Sequence, residues 1–227
     1  MKAEFDEVAN DYDAQLNRGL SLSGENKEYF AEGRMKWLGK RLGELGFAPR
    51  QALDFGCGTG TATPWFFDVL GVEQLVGSDP SAESLKVASD AFSGRYPVSF
   101  CLPGEERPES VDLAFCNGVY HHILPADRPG ALAQVYRALR PGGMFAFWEN
   151  NPWNPGTRWA MSRVPFDADA IVIWPGEARR MLGTAGFTPL GSDFLFYFPR
   201  FLSAFRFLER GLVKLPLGGQ YLVLARK

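Results

Sequence analysis

The sequence predicts a single α/β domain built on a mostly parallel sheet, and three observations predict it. Short apolar runs bounded by turn residues alternate with helix-like stretches along most of the chain. One of those runs opens directly into a glycine-rich turn, Gly56-Cys57-Gly58-Thr59-Gly60. The chain has 227 residues, 46% of them hydrophobic, and a chain of that size buries roughly 70% of its unfolded surface without staples.

Residues 26–45 place Tyr29, Phe30, Met35, Trp37, Leu38 and Leu42 at helix-like spacings, which predicts an amphipathic helix. Strands follow at Ala52–Phe55, Gln74–Ser78, Val98–Leu102, Val111–Cys116 and Met144–Glu149. Their apolar character on both faces fits a parallel sheet covered by helices. Helices are expected between them, over Thr63–Val69, Ala82–Phe92 and Gly130–Leu139. The last is closed by Arg140-Pro141-Gly142-Gly143 as a stop signal. Residues 150–175, rich in Trp, Pro and Asn, form an excursion before a helix at Pro175–Leu182, and long excursions of this kind are often lids. Phe187–Phe198 and Gln220–Lys227 are strands without a helical crossover between them, so an antiparallel pair at the sheet edge is expected. The division that follows is a helical cap at 1–46, a core at 50–150, a lid at 150–175 and an insertion at 199–219.

Composition excludes several classes. Net charge is −2, which gives no global case for nucleic acid. Cys57, Cys101 and Cys116 are an odd count without a CxxC pair, unlike a disulfide framework or a zinc site. The start, MKAEFDEVANDYD, has no apolar core of a signal peptide, and no apolar run approaches the roughly 18 residues of a membrane span. A soluble, cytoplasmic protein is expected. The charge is uneven: residues 151–227 carry ten Lys/Arg against five Asp/Glu, and sixteen of the thirty-two aromatics lie after residue 140.

In the turn after Leu53-Asp54-Phe55, three alternating glycines permit positive φ and let a ligand approach the backbone. The following helix turns its amino end toward that ligand. A dinucleotide site wants G-x-G-x-x-G, but here the third glycine comes one residue early and Thr61 stands in its place. Asp79, ending the next strand, is placed to accept both hydroxyls of an adenosine ribose, a job shared by nicotinamide and S-adenosylmethionine sites. The glycine spacing favours the second.

These segments, with Gly77-Ser78-Asp79-Pro80-Ser81, Val111-Asp112-Leu113-Ala114-Phe115-Cys116-Asn117-Gly118 and Leu139-Arg140-Pro141-Gly142-Gly143, resemble the class I S-adenosylmethionine-dependent methyltransferases in order and spacing over about residues 50–150. The resemblance implies a Rossmann-like seven-stranded, mostly parallel sheet with helices on both faces and a C-terminal antiparallel hairpin. It implies S-adenosylmethionine as cofactor. Gly56, Cys57 and Gly58 would line the methionine moiety through backbone contacts, with Gly60 completing the turn and Asp54 organising it. Asp79 would hold the ribose, Pro80 the adenine, and Asn117 would sit beside the amino group. Relatives commonly carry an acid soon after the third strand. Here that stretch reads Phe100-Cys101-Leu102-Pro103, which leaves the adenine to backbone and apolar contacts that include Leu102. Tyr12 and Arg34 are candidates to close over the cofactor, Arg34 by pairing with its carboxylate; a solvated helix face is the other account of Arg34.

Both histidines, His121 and His122, follow the fourth strand at the carboxyl edge of the sheet, where ligands of open α/β folds bind. Adjacent side chains on a turn diverge, so one faces the pocket. His122 is the first choice for a general base and His121 the second, with a packed or capping pair as the plain alternative. No further His or CxxC supports a metal there. Glu149, Asn150 and Asn151 either orient an acceptor or end a strand. Trp153, Trp159, Phe166 and Trp174, with Arg158 and Arg163, would shape an acceptor pocket or pack on the sheet rim.

Tested as an α-helix, residues 199–216 put Arg206, Arg210 and Lys214 on one arc and Leu202, Phe205, Leu208 and Leu212 among an apolar arc, which Phe207, Glu209 and Gly211 spoil. Such a helix lies on an anionic membrane or packs on its own domain; packing is favoured.

The function expected is O-methylation of a small-molecule or glycan-like acceptor. N-methylation, a nicotinamide-dependent oxidoreductase and an inactive cofactor-binding regulatory subunit stay open. A nucleic-acid substrate is not expected, and the oligomeric state is not addressed by any motif.

Overall fold

A computed structural model describes residues 23–163 and 170–227. The helix α1 (Lys27–Glu44) is capped by Asn26, whose side chain accepts from the Tyr29 N–H. It turns Met35, Leu38 and Leu42 into the core. There follow β1 (Gln51–Phe55), α2 (Thr63–Asp68), β2 (Gln74–Ser78), α3 (Ala82–Phe92), β3 (Val98–Cys101), β4 (Val111–Asn117), a single 3-10 turn (Tyr120–His122), α4 (Arg128–Ala138) and β5 (Leu139–Asn150). The rest comprises α5 (Pro155–Met161), α6 (Pro175–Thr184), β6 (Thr188–Leu195), a 3-10 segment (Arg200–Leu208), α7 (Glu209–Leu212) and β7 (Gln220–Arg226).

The strands form one sheet in the order β3-β2-β1-β4-β5-β7-β6. The first five are parallel, and β7 inserts antiparallel between β5 and β6. The hairpin expected from the missing crossover is therefore present. Alternate residues of each strand feed different layers. On β5, Met144, Ala146 and Trp148 pack with Met35, Leu38 and Phe66 from α1 and α2. Phe145 and Phe147 pack with Leu132 and Val135 of α4 and Ala178 and Leu182 of α6. All five of these β5 residues are fully buried, which is why the strand is apolar on both faces.

Two expected boundaries differ. Pairing of β5 begins at Leu139, opposite Val111, and resumes at Met144 opposite Leu113, so Arg140–Gly143 bulges out of the strand instead of preceding it. A Cβ on Gly143 would lie 2.9 Å from the Arg140 carbonyl, and the Gly142 N–H donates to the Lys227 carbonyl, extending the pairing with β7. The segment expected as an α-helix over 199–216 is a 3-10 segment with a break at Leu202, followed by the short α7. Its arcs therefore do not form. Arg206 turns inward to Glu25 at 2.9 Å and lies over the Tyr29 ring, away from Arg210. No described helix is long and apolar enough to cross a membrane.

Candidate active site

The strand order reverses between β1 and β4, and the loops leaving the carboxyl ends of those strands diverge there, opening a crevice. A cleft of about 340 Å³ occupies it. Its walls come from Phe55–Gly56 and Gly58–Thr59 after β1, Ser78–Pro80 after β2, Pro103 after β3, and Asn117–Val119 with His122–Ile123 after β4. Ser84 of α3 and Ala131 and Gln134 of α4 complete it.

The glycine turn is built by long-range constraints. The Gly56 and Cys57 N–H groups both donate to the Ser78 carbonyl, at 2.7 and 3.1 Å, so β1 and β2 hold the turn between them. Gly56 has φ +75° and a Cβ there would lie 2.4 Å from the Val119 side chain, which brings the loop after β4 directly onto the turn. Gly58, at φ +51°, has nothing within 4 Å of an added Cβ; its missing side chain leaves open cleft. Gly60 instead makes room for Phe92 of α3. Cys57 tucks its sulfur toward Gly77, and burial pushes its thiol well above the ordinary range. Neither Cys57 nor Gly60 lines the cleft, so both act on the shape of the turn.

Asp79 is nearly buried and accepts the Gly58 N–H at 2.8 Å on one oxygen and the Ser81 N–H at 2.9 Å on the other. A carboxylate has about four acceptor positions, more than these two amides use. Asp54 lies deeper and does not line the cleft. Burial, then the neighbouring Asp79 charge, raises its carboxyl to about 7, with Arg34 opposing. The Asn117 Oδ1 is buried without a hydrogen-bond partner on the cleft wall. An orphaned acceptor of that kind is costly unless a ligand donor meets it.

His121 is buried, and its Nδ1 lies 2.6 Å from Glu149. The other Glu149 oxygen accepts the Tyr120 and His121 N–H groups, so this carboxylate builds the histidine turn and does not meet an acceptor. His122 stands on the cleft wall with its ring 4.1 Å from that of His121. Of the two histidines, the structure therefore turns only His122 to the cleft.

The remaining expected residues lie elsewhere. Arg34 donates to Gln220 at 2.9 Å, and Gln220 in turn donates to Asn150 at 3.1 Å, a relay joining α1, β7 and β5. It excludes the plain solvated face for Arg34, which is 9% exposed. Trp153 packs beside Phe194 and Trp174, outside the cleft; Leu102, just after β3, is exposed and does not line the cleft either. Tyr12 and Phe166 lie outside the described residues. Sequence reasoning missed Glu106, which sits beyond the stretch expected to carry an acid. It is buried, accepting from the Ser78 hydroxyl at 2.6 Å and the Gly104 N–H at 2.8 Å. Nothing in its local run, Glu105-Glu106-Arg107, distinguished it from a solvated neighbour. Among the described residues no group of three His, Cys, Asp or Glu side chains is placed to hold a metal ion.

The orphaned Asn117 oxygen, the space at Gly58 and the Asp79 carboxylate on the cleft wall fit an adenosine carrying an amino acid tail. Asp79 would hold the ribose, Pro80 and Pro103 would flank the base, and Asn117 would take the amino group.

Comparison with known proteins agrees with this geometry. Residues 53–145 match a family model described as a methyltransferase domain. An uncharacterized methyltransferase of Geobacillus kaustophilus is 32% identical over 105 residues, covering 44% of this chain and 46% of the relative. A trans-aconitate 2-methyltransferase of an Acidovorax species is 31% identical over 99 residues, covering 44% of this chain and 38% of that one. The chain thus spans less than half the length of these relatives. A crystal structure from Thermotoga maritima, described as a SAM-dependent methyltransferase and possible histamine N-methyltransferase, superposes over 100% of both chains with a TM-score of 0.66 at 19% identity. That likeness establishes the fold.

Proposed function

We propose that this chain, which carries a class I S-adenosylmethionine-dependent methyltransferase domain over residues 53–145, methylates a hydroxyl or carboxyl oxygen of a small-molecule acceptor. The observation that carries the hydroxyl case is His122, the one histidine of the pair on the wall of the same cleft as Asp79 and Asn117; the carboxyl case is supported by the relative named for trans-aconitate.

When bound, the cofactor supplies an activated sulfonium methyl group, so the protein's task is to align the acceptor and exclude water. Asp79, Pro80 and Asn117 would hold the cofactor, and the chemistry it would supply is methyl transfer to oxygen with a neutral thioether as the leaving group. A hydroxyl acceptor must also lose its proton, and His122 is the group on the cleft wall that can take it. Glu149 and His121 hold the turn that aims His122. A carboxylate acceptor arrives without a proton and needs no base. The relative named for trans-aconitate, a tricarboxylate without a hydroxyl, supports the carboxylate case.

The test is transfer of label from S-adenosylmethionine into separated extract fractions, followed by His122→Asn on the acceptor found. For a hydroxyl acceptor we expect turnover to fall about 100-fold, in the range general-base removal produces, with S-adenosylhomocysteine affinity unchanged. Full activity of His122→Asn on a hydroxyl acceptor removes His122 as base. Label found only on amine nitrogen overturns O-methylation, and binding without transfer to any fraction leaves the inactive regulatory reading.

A further inference from the structure

The connector between β6 and β7 was expected to bury its apolar residues against the domain, yet none of the nine residues of its 3-10 segment is buried. Phe201 is 79% and Phe207 73% exposed, with Phe205 and Leu208 also exposed beside them. An exposed aromatic cluster of this density marks an interaction surface.

Its charge says which partner fits. Arg200 and Arg210 are exposed within the same connector. Arg158 and Arg163 are exposed on and just after α5, where the Arg163 guanidinium lies 4.8 Å from the exposed Trp159 ring. This second group is fastened to the connector: Asn154 donates to the Leu217 carbonyl at 2.7 Å and Thr157 to the Gly219 carbonyl at 2.8 Å. The described carboxylates of residues 151–227 are each engaged by groups of the domain itself. Asp193 is buried against Arg41 and Lys214, Glu209 accepts the Tyr197 and Phe198 N–H groups, and Glu177 pairs with Arg128. Asp167 and Asp169 lie outside the described residues.

We propose that this connector and α5 form a docking surface for an anionic lipid bilayer, with Phe201, Phe205 and Phe207 entering the interface and the four arginines meeting the headgroups. Aromatic side chains among outward cations suit the boundary between headgroups and acyl chains. A symmetric second copy fits less well, because a two-fold contact would set these arginines against their own counterparts. The proposal stands independently of methyl transfer.

Co-sedimentation of the full chain with vesicles tests it, using phosphatidylcholine alone and phosphatidylcholine with phosphatidylglycerol, at low and high salt. We expect binding to the anionic vesicles at low salt, weakening with salt. Phe201→Ser with Phe207→Ser, and separately Arg200→Glu with Arg210→Glu, should each lower partitioning roughly tenfold or more. All four side chains are exposed, so thermal melting should match the wild type; a lowered midpoint directs the test to Phe207→Ser alone, for which the same loss of partitioning is expected. No binding to anionic vesicles, equal binding to neutral ones, or undiminished binding by the phenylalanine variants overturns the proposal. So does a wild-type dimer that the phenylalanine changes dissolve without any vesicle binding.

Discussion

At Asp79 each carboxylate oxygen already accepts a backbone N–H, from Gly58 and from Ser81. The side chain therefore joins the glycine turn to the start of α3 while standing on the cleft wall. Asp79→Ala removes a charged acceptor from two amides and from the ligand hydroxyls, and hydrogen bonds to charged groups contribute about 1.5–3 kcal/mol each. S-adenosylhomocysteine affinity measured by calorimetry should fall at least tenfold; unchanged affinity would take Asp79 out of the ribose role. The position of Asp79 was legible because it ends an apolar strand. Asn117 was legible on the same ground, but its lack of a partner was not. Whether a polar atom is satisfied depends on every element packed around it, which no local run of residues records. The histidines show the same limit: adjacency made one of them a candidate, and only the contact between Glu149 and His121 decided which faces the cleft.

Among the elements, α1 owes its position to more than its apolar stripe. Asp193 on β6 is buried; it accepts the Trp37 indole N–H at 3.0 Å and forms ion pairs with Arg41, at 3.0 Å, and with Lys214 from the connector. One carboxylate thus joins α1, β6 and the connector. Asp193→Ala should destabilise the protein by about 2–4 kcal/mol, because it leaves an indole N–H without its acceptor and Arg41 without its counter-charge. Urea unfolding would show this as a lowered midpoint at unchanged slope; a loss below about 0.5 kcal/mol would mean solvent replaces the clamp. In sequence, Asp193 is an unremarked acid inside a strand. Its partners lie up to 156 residues away, so nothing local marked it. The connector shows the opposite failure. Its α-helical arcs, already spoiled in sequence by Phe207, Glu209 and Gly211, give way to 3-10 geometry with a break at Leu202, which leaves Arg206 paired with Glu25 and the phenylalanines exposed.

Over the whole molecule, one buried acid bends the dependence of stability on pH. Asp54 is held near 7 in the folded protein, above the ordinary carboxyl value near 3.9 of an unfolded chain. Between those values the folded state keeps a proton that the unfolded state releases, so stability falls as pH rises through the window and levels off above about 7. This is opposite in sign to a salt-bridged carboxylate. From pH 5 to pH 7 the wild type should lose about 2 kcal/mol that Asp54→Asn does not. Parallel urea midpoints for the two proteins across that range would show that Asp54 titrates normally. The amino-acid sequence by itself determined the alternating helices and strands, the glycine turn and the terminal hairpin, because chain periodicity and backbone freedom are local properties. Tertiary structure alone decided which histidine meets the cleft, where Glu106 and Asp193 are spent, and that the aromatic connector faces outward. Those outcomes depend on partners brought together from distant parts of the chain, and on the burial that only their packing creates.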